Sequence, residues 1–245
     1  MKWVMKVIAL LCLAVAAQAC AAGSLADLAI YDRTEGKRLP VYWHGGRAYV
    51  AGKPGNEYRV SLRNRGGEDV LAVLSVDGVN AVTGETADPG QSGYVLSSGA
   101  SVEVQGWRKS LSQTAAFYFT SLGDSYAART GRPDNVGVIG VALFRRKQEP
   151  QPLALSENRR KEAAADAASG ARSQAPEAQL GTGHGRRETS YAQYVAFERA
   201  SRAPAEVLTI YYDSRANLVA RGIIQDPVPV APHPRPFPGF VPDPA

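Results

Sequence analysis

The chain has 245 residues and a formal charge of +5, and loss of the amino-terminal Lys2 and Lys6 lowers that to +3. So mild an excess does not support nucleic-acid binding. Cys12 and Cys20 are the only cysteines. A chain that loses Cys12 with its leader has no intrachain disulfide.

The leader reads from Lys2 and Lys6 through the apolar run Val7 to Ala17 into Ala17-Gln18-Ala19-Cys20. A basic start, a short apolar core and an A-x-A ending make an export signal over residues 1–19. The core is short for a spanning helix, which needs about 20 apolar residues. The cysteine-terminated ending resembles a bacterial lipobox, with Ala17 where that pattern favours Leu. The sequence leaves two routes open: plain cleavage after Ala19, or lipidation of Cys20. A lipid on Cys20 would be the chain's only membrane contact. Ala21 lacks the aspartate that marks inner-membrane retention in lipoproteins, which implies the outer membrane. Either route makes the protein exported and places it in the periplasm.

From residue 25 to 147 the chain reads as short strands. Tyr58, Val60 and Leu62 alternate with Arg59, Ser61 and Arg63, the period of a strand with one wet face. Val70 to Val76, Ala115 to Thr120 and Val136 to Phe144 are apolar on both parities and predict central strands. Gly45-Gly46, Gly66-Gly67, Asp77-Gly78, Pro89-Gly90 and Ser98-Gly99 separate the runs, and such pairs suit tight antiparallel turns. The fold class expected is mainly β, an antiparallel β-sandwich. His44, beside Gly45, reads as a turn or packing residue, and Trp107 as packing.

Residues 148–180 form a low-complexity linker in which Glu157 to Ala168 has high helix propensity but no apolar face. Residues 181–225 read as a glycine-rich loop, a helix opened by a capping box at Ser190 and Gln193, and a hairpin pairing Glu206–Tyr212 with Leu218–Ile224. This block is expected to dock on the sandwich and complete it. Residues 226–245 carry prolines at 227, 229, 232, 234, 236, 238, 242 and 244, which favours a polyproline-type terminus. Phe237 and Phe240 are the residues of that tail suited to anchoring.

Two constellations invite chemistry. Gly123-Asp124-Ser125-Tyr126 resembles the nucleophile block of GDSL-type esterases, but neither His184 nor His233 stands in the Asp-x-x-His that family uses for its base. The simpler reading is a turn in which Asp124 caps a short helix through Ala128. Gly181-Thr182-Gly183-His184-Gly185-Arg186-Arg187-Glu188 is the second. Glycines admit close approach of a ligand and arginines hold anions, which makes Gly183, His184, Arg186 and Arg187 the candidate binding residues. His184 with Glu188 is the candidate acid–base pair. Two ligands do not define a metal site, and no cofactor motif is present.

Leu74-Ser75-Val76-Asp77-Gly78-Val79-Asn80, Gln91-Ser92-Gly93-Tyr94-Val95-Leu96, Gly106-Trp107-Arg108-Lys109-Ser110 and Ser125-Tyr126-Ala127-Ala128-Arg129-Thr130-Gly131, with Gly181-Thr182-Gly183-His184-Gly185 and Thr209-Ile210-Tyr211-Tyr212-Asp213, together resemble a family of exported proteobacterial proteins without an established activity. The resemblance implies export and no catalytic assignment. The expected function is a non-enzymatic envelope module whose partners are an envelope protein, an anionic lipid or a polysaccharide. The alternatives are a periplasmic hydrolase using His184 with Glu188 or Asp124, and a component of a surface appendage or adhesin.

Overall fold

A computed structural model describes residues 21–148 and 179–225. Cys20 and its leader, residues 149–178 and the tail from 226 lie outside the described residues. Strands run in chain order as β1 (Ala21–Ala22), β2 (Ala26–Asp32), β3 (Lys37–Arg38), β4 (Tyr42–His44), β5 (Arg47–Gly52), β6 (Glu57–Asn64), β7 (Val70–Val76), β8 (Val79–Asn80), β9 (Tyr94–Leu96), β10 (Ser101–Val104), β11 (Gly106–Arg108), β12 (Gln113–Ser121), β13 (Val138–Arg145), β14 (Leu180–Thr189) and β15 (Glu206–Ser214). Two short helices are α1 (Tyr126–Arg129) and α2 (Arg215–Ala220).

The strands form a β-sandwich. One sheet follows the order β1-β2-β6-β12-β11, with β3, β10 and β14 attached; the other follows β4-β5-β15-β13-β7-β8, with β9 attached. In β6, Tyr58, Val60, Leu62 and Asn64 are buried while the residues between them are more exposed, as a period of two demands. Tyr58, Val60 and Leu62 meet Leu74, Val76, Ile139, Val141 and Ile210 of the opposite sheet in one shared core.

Two of the runs apolar on both parities, Val70 to Val76 and Val136 to Phe144, are explained by a second layer. Leu71, Val73, Ala142 and Phe144 face away from the main core, and Phe197 packs over them. Arg146 lies 4.7 Å from the Phe197 ring centroid, and Arg199 lies 4.2 Å from that of Phe144. Residues 196–199 therefore lie across the outside of the second sheet.

Three expectations are corrected here. The segment 181–189 is strand, not loop, and pairs with β12 from Leu180 opposite Ser121 to Thr189 opposite Gln113. Its glycines answer to sterics: a Cβ on Gly183 would lie 2.2 Å from Tyr118 Cζ, and one on Gly181 would lie 2.6 Å from Ser125 Cβ. No helix begins at Ser190. Its hydroxyl accepts from Arg108 at 3.0 Å and its amide donates to the Ser112 carbonyl at 2.9 Å, so the cap is used elsewhere.

The expected hairpin of Glu206–Tyr212 with Leu218–Ile224 is a strand followed by a helix. β15 joins β5 in parallel, Ile210 opposite Ala48, and β13 in antiparallel. Ser214 caps α2 by accepting from the Asn217 amide at 3.2 Å. Gly222, at φ 68°, ends it, with Ile223 N donating to Leu218 O and Gly222 N to Val219 O, both at 2.9 Å. That is a Schellman closure. Leu218, Ile223 and Ile224 then bury themselves against Tyr49 on the outer face of the second sheet.

Candidate functional site

The His184 region is built by an irregularity in β14. Phe117 stands opposite His184, yet Ala115 stands opposite Arg187, so Gly185 and Arg186 share the place facing Ala116. This bulge reverses the alternation of side chains. Phe117 and Ala115 are on one face of the sheet, which puts His184 and Arg187 together. Glu188, opposite Thr114, falls on the other face. Uninterrupted alternation would have set His184 and Glu188 on the same side.

The contacts agree with that separation. Glu188 accepts from both terminal nitrogens of Arg33 at 2.9 Å and pairs with Arg186 at 2.6 Å. Arg186 also donates to Glu57 at 2.8 and 3.0 Å. The Arg186 hydrogen bond is the largest influence holding Glu57 below the usual carboxylate range. Two arginines and two glutamates thus satisfy one another, and Arg186, a sequence-level binding candidate, is committed to them.

His184 stands in different company. Its ring lies 5.5 Å from that of Tyr126, which lies 5.0 Å from Trp107. Trp107 is buried edge-on against Phe117 and donates to the Gly183 carbonyl at 3.4 Å. Partial burial is the main cause holding the imidazole below its usual 6.5, and the positive charges of Lys109, Arg187 and Arg129 push the same way. The ring is therefore neutral at pH 7. Lys109, Arg129 and Arg187 make no ion pair among the described residues. The imidazole, beside an aromatic wall, thus feels three positive charges, with Arg187 on its own face of the sheet.

The hydrolase constellation is not assembled. Ser125 is fully buried and its hydroxyl accepts from the Ala128 amide at 3.1 Å. Ser125, rather than Asp124, is therefore the cap of α1. Asp124 accepts from the Ser121 hydroxyl at 2.8 Å. Neither is hydrogen-bonded to His184. Among the described residues, no group of three His, Cys, Asp or Glu side chains converges as a metal set.

A buried polar relay escaped the sequence reading. Asp77 turns with φ 53° into the β7–β8 hairpin and is fully buried. Its Oδ1 accepts from the Tyr212 hydroxyl at 2.5 Å and from Gly137 N at 3.0 Å, and its Oδ2 from Thr182 N at 2.7 Å. Thr182 Oγ1 lies 2.7 Å from the Tyr212 hydroxyl and 2.6 Å from that of Tyr58. Tyr212 gives its hydrogen to Asp77, so Thr182 donates to Tyr212 and Tyr58 donates to Thr182. Burial raises the Asp77 carboxyl to about 6 against the opposing effect of these donors. All four side chains are buried, so the relay ties the sheets together and offers no entry to a substrate.

The chain matches no protein-family model, no curated protein and no solved structure at a significant level.

Proposed function

We propose that the protein is a non-enzymatic binding module of the cell envelope, exported by its leader, which recognises an anionic group of an envelope polysaccharide or lipid. The observation that carries the reading is that His184 and Arg187 share one face of the sheet beside Tyr126, that Lys109 and Arg129 also act on the imidazole as positive charges, and that none of the three cations has an ion pair among the described residues. The neighbouring carboxylates are engaged elsewhere: Glu188 by Arg33 and Arg186, Asp124 by Ser121. Cations left without an internal counter-ion at one end of a rigid sandwich favour an external one. Gly183 serves by fit beneath Tyr118, and Arg186 by holding the sheet face.

Binding is tested with polygalacturonate, with phosphatidylglycerol vesicles and with phosphatidylcholine vesicles. Association with one of the two anionic probes is expected, falling steeply with salt, and weakening about tenfold in Lys109→Ser/Arg187→Ser as two partly screened charge contacts are lost. The arm that binds identifies the source of the anion. Failure of both anionic probes at low salt, or equal binding by the variant, overturns the reading.

A strand-addition role has one observation in its favour. Among the described residues β14 pairs with β12 alone and β4 with β5 alone, so each sheet presents an edge.

A further inference from the structure

A second surface is independent of the His184 end. A groove of about 300 Å³ is lined by Trp43, Arg47, Val207, Leu208, Thr209 and Tyr211, with Gly46 and Ala48 completing it. Trp43 is 57% exposed and Val207 59%, a large apolar area to leave in water. The groove exists because β5 begins late. Its pairing with β15 starts at Ile210 opposite Ala48, so Val207 to Thr209 have no strand partner on that side among the described residues. The Arg47 guanidinium lies 5.5 Å from the Tyr211 ring centroid, adding donors to an aromatic and apolar floor.

Such a groove suits a chain rich in carbonyl acceptors and poor in amide donors. Aromatic grooves take polyproline segments because these are already extended and lose little entropy on binding. The chain carries one. Its described part ends at Gln225, immediately after Ile223 and Ile224, which pack with Tyr42 and Tyr211 around Tyr49. Tyr42 is the chain neighbour of Trp43, so the described chain ends beside the strands that frame the groove. In a polyproline helix residues 226–245 reach about 60 Å, ample for the path round β4. Phe237 and Phe240 are three residues apart in sequence, so a polyproline helix, with three residues per turn and about 3.1 Å per residue, would set them on one edge about 9 Å apart.

We infer that the proline-rich segment 226–245 docks in this groove of its own molecule, setting Phe237 and Phe240 against Trp43 and Val207. The groove supplies the apolar contacts, and Arg47 with the backbone of Val207 to Thr209 on the side away from β13 supplies donors to the tail's carbonyls.

The test uses the full chain and acrylamide quenching of tryptophan emission, with Trp43→Phe subtracted to isolate Trp43. The comparison is with Phe237→Ser/Phe240→Ser, whose changes lie outside the described residues. Trp43 is expected to quench about threefold less in the native chain than in the double variant, since an anchored aromatic contact excludes water. A tethered site keeps its occupancy over a roughly hundredfold dilution, because the linker fixes the local concentration. Equal quenching in the two proteins overturns the proposal. Protection lost on dilution also overturns it, because the tail would then come from a second copy.

Discussion

The Tyr212 hydroxyl donates to Asp77 Oδ1 from 135 positions further along the chain, and that bond is the last step of a one-way relay starting at Tyr58. Tyr58 and Thr182 belong to the first sheet, Asp77 and Tyr212 to the second. The relay adds a directional cross-link to the apolar contacts between the sheets. Burial pushes both tyrosine hydroxyls well above their usual 10, so they stay protonated and able to donate.

Stability should fall as pH rises from about 4 to about 6. Asp77 holds its proton to about 6 in the folded chain, against an ordinary value of 3.8. Between those values the folded state binds more protons than the unfolded state. The added stability is complete below the unfolded value and is lost as pH rises through the folded one, worth about 3 kcal/mol at most. Glu35 and Glu57, whose values are lowered, act in the opposite sense and at lower pH. Asp77→Asn isolates the effect, since Asn accepts the positive φ but cannot titrate. Urea midpoints at pH 4, 5, 6 and 7 should slope for the native chain relative to the variant; parallel profiles would refute the assignment.

Thr182→Val keeps the β-branched shape at a fully buried strand position and deletes the middle of the relay. Tyr58 loses its acceptor and Tyr212 loses its donor. Leaving a buried hydroxyl unpaired costs about 1–3 kcal/mol, whereas Thr182→Ser keeps the hydroxyl and sacrifices only a methyl group. Chemical denaturation should rank the Val variant below the Ser variant. The reverse order would mean that packing, not the relay, governs this site.

Glycine substitutions on the paired strands should differ according to what the new atom meets. A Cβ on Gly106 would lie 2.0 Å from the Ala115 carbonyl oxygen, part of the β12 backbone, while one on Gly183 would meet the Tyr118 ring. Backbone in a paired strand cannot yield without breaking the sheet, but a side chain can rotate. Gly106→Ala is expected to lose more than about 3 kcal/mol or fail to fold, and Gly183→Ala to lose about 1–3 kcal/mol. Thermal melting of both proteins decides the order, and equal losses would contradict it.

The sandwich was legible because its evidence is local. Alternation along Tyr58 to Asn64 and turn pairs such as Gly45-Gly46 and Asp77-Gly78 declare strands and hairpins without knowledge of the neighbours. In the final block local signals compete. Ser190 with Gln193 looks like a cap, but Arg108, 82 positions away, takes its hydroxyl. Leu218 to Ile224 looks like a strand, although Ser214 and Gly222 also mark the two ends of a helix. The alternating glycines of 181–185 resemble a ligand loop, and only the facing Tyr118 and Ser125 show why side chains are absent there. His184 and Glu188 appear to be partners until the bulge opposite Ala116 separates them, and a bulge belongs to a pair of strands.

The His184 cluster makes a prediction that can be read without a known ligand. Followed by its ring-proton resonances, His184 should titrate below 6.5, because burial and then Lys109, Arg187 and Arg129 disfavour the charged imidazole. Lys109→Ser or Arg187→Ser removes a repelling charge, so the midpoint should rise toward the ordinary value. A bound anion works in the same direction, and polygalacturonate added to the native chain should raise the midpoint while the double variant responds less. Added salt should mimic the substitutions in part by screening the cations. A midpoint unmoved by both substitutions and by the anion would show that burial alone sets it, and that the three cations stand too far from the ring to act as one site.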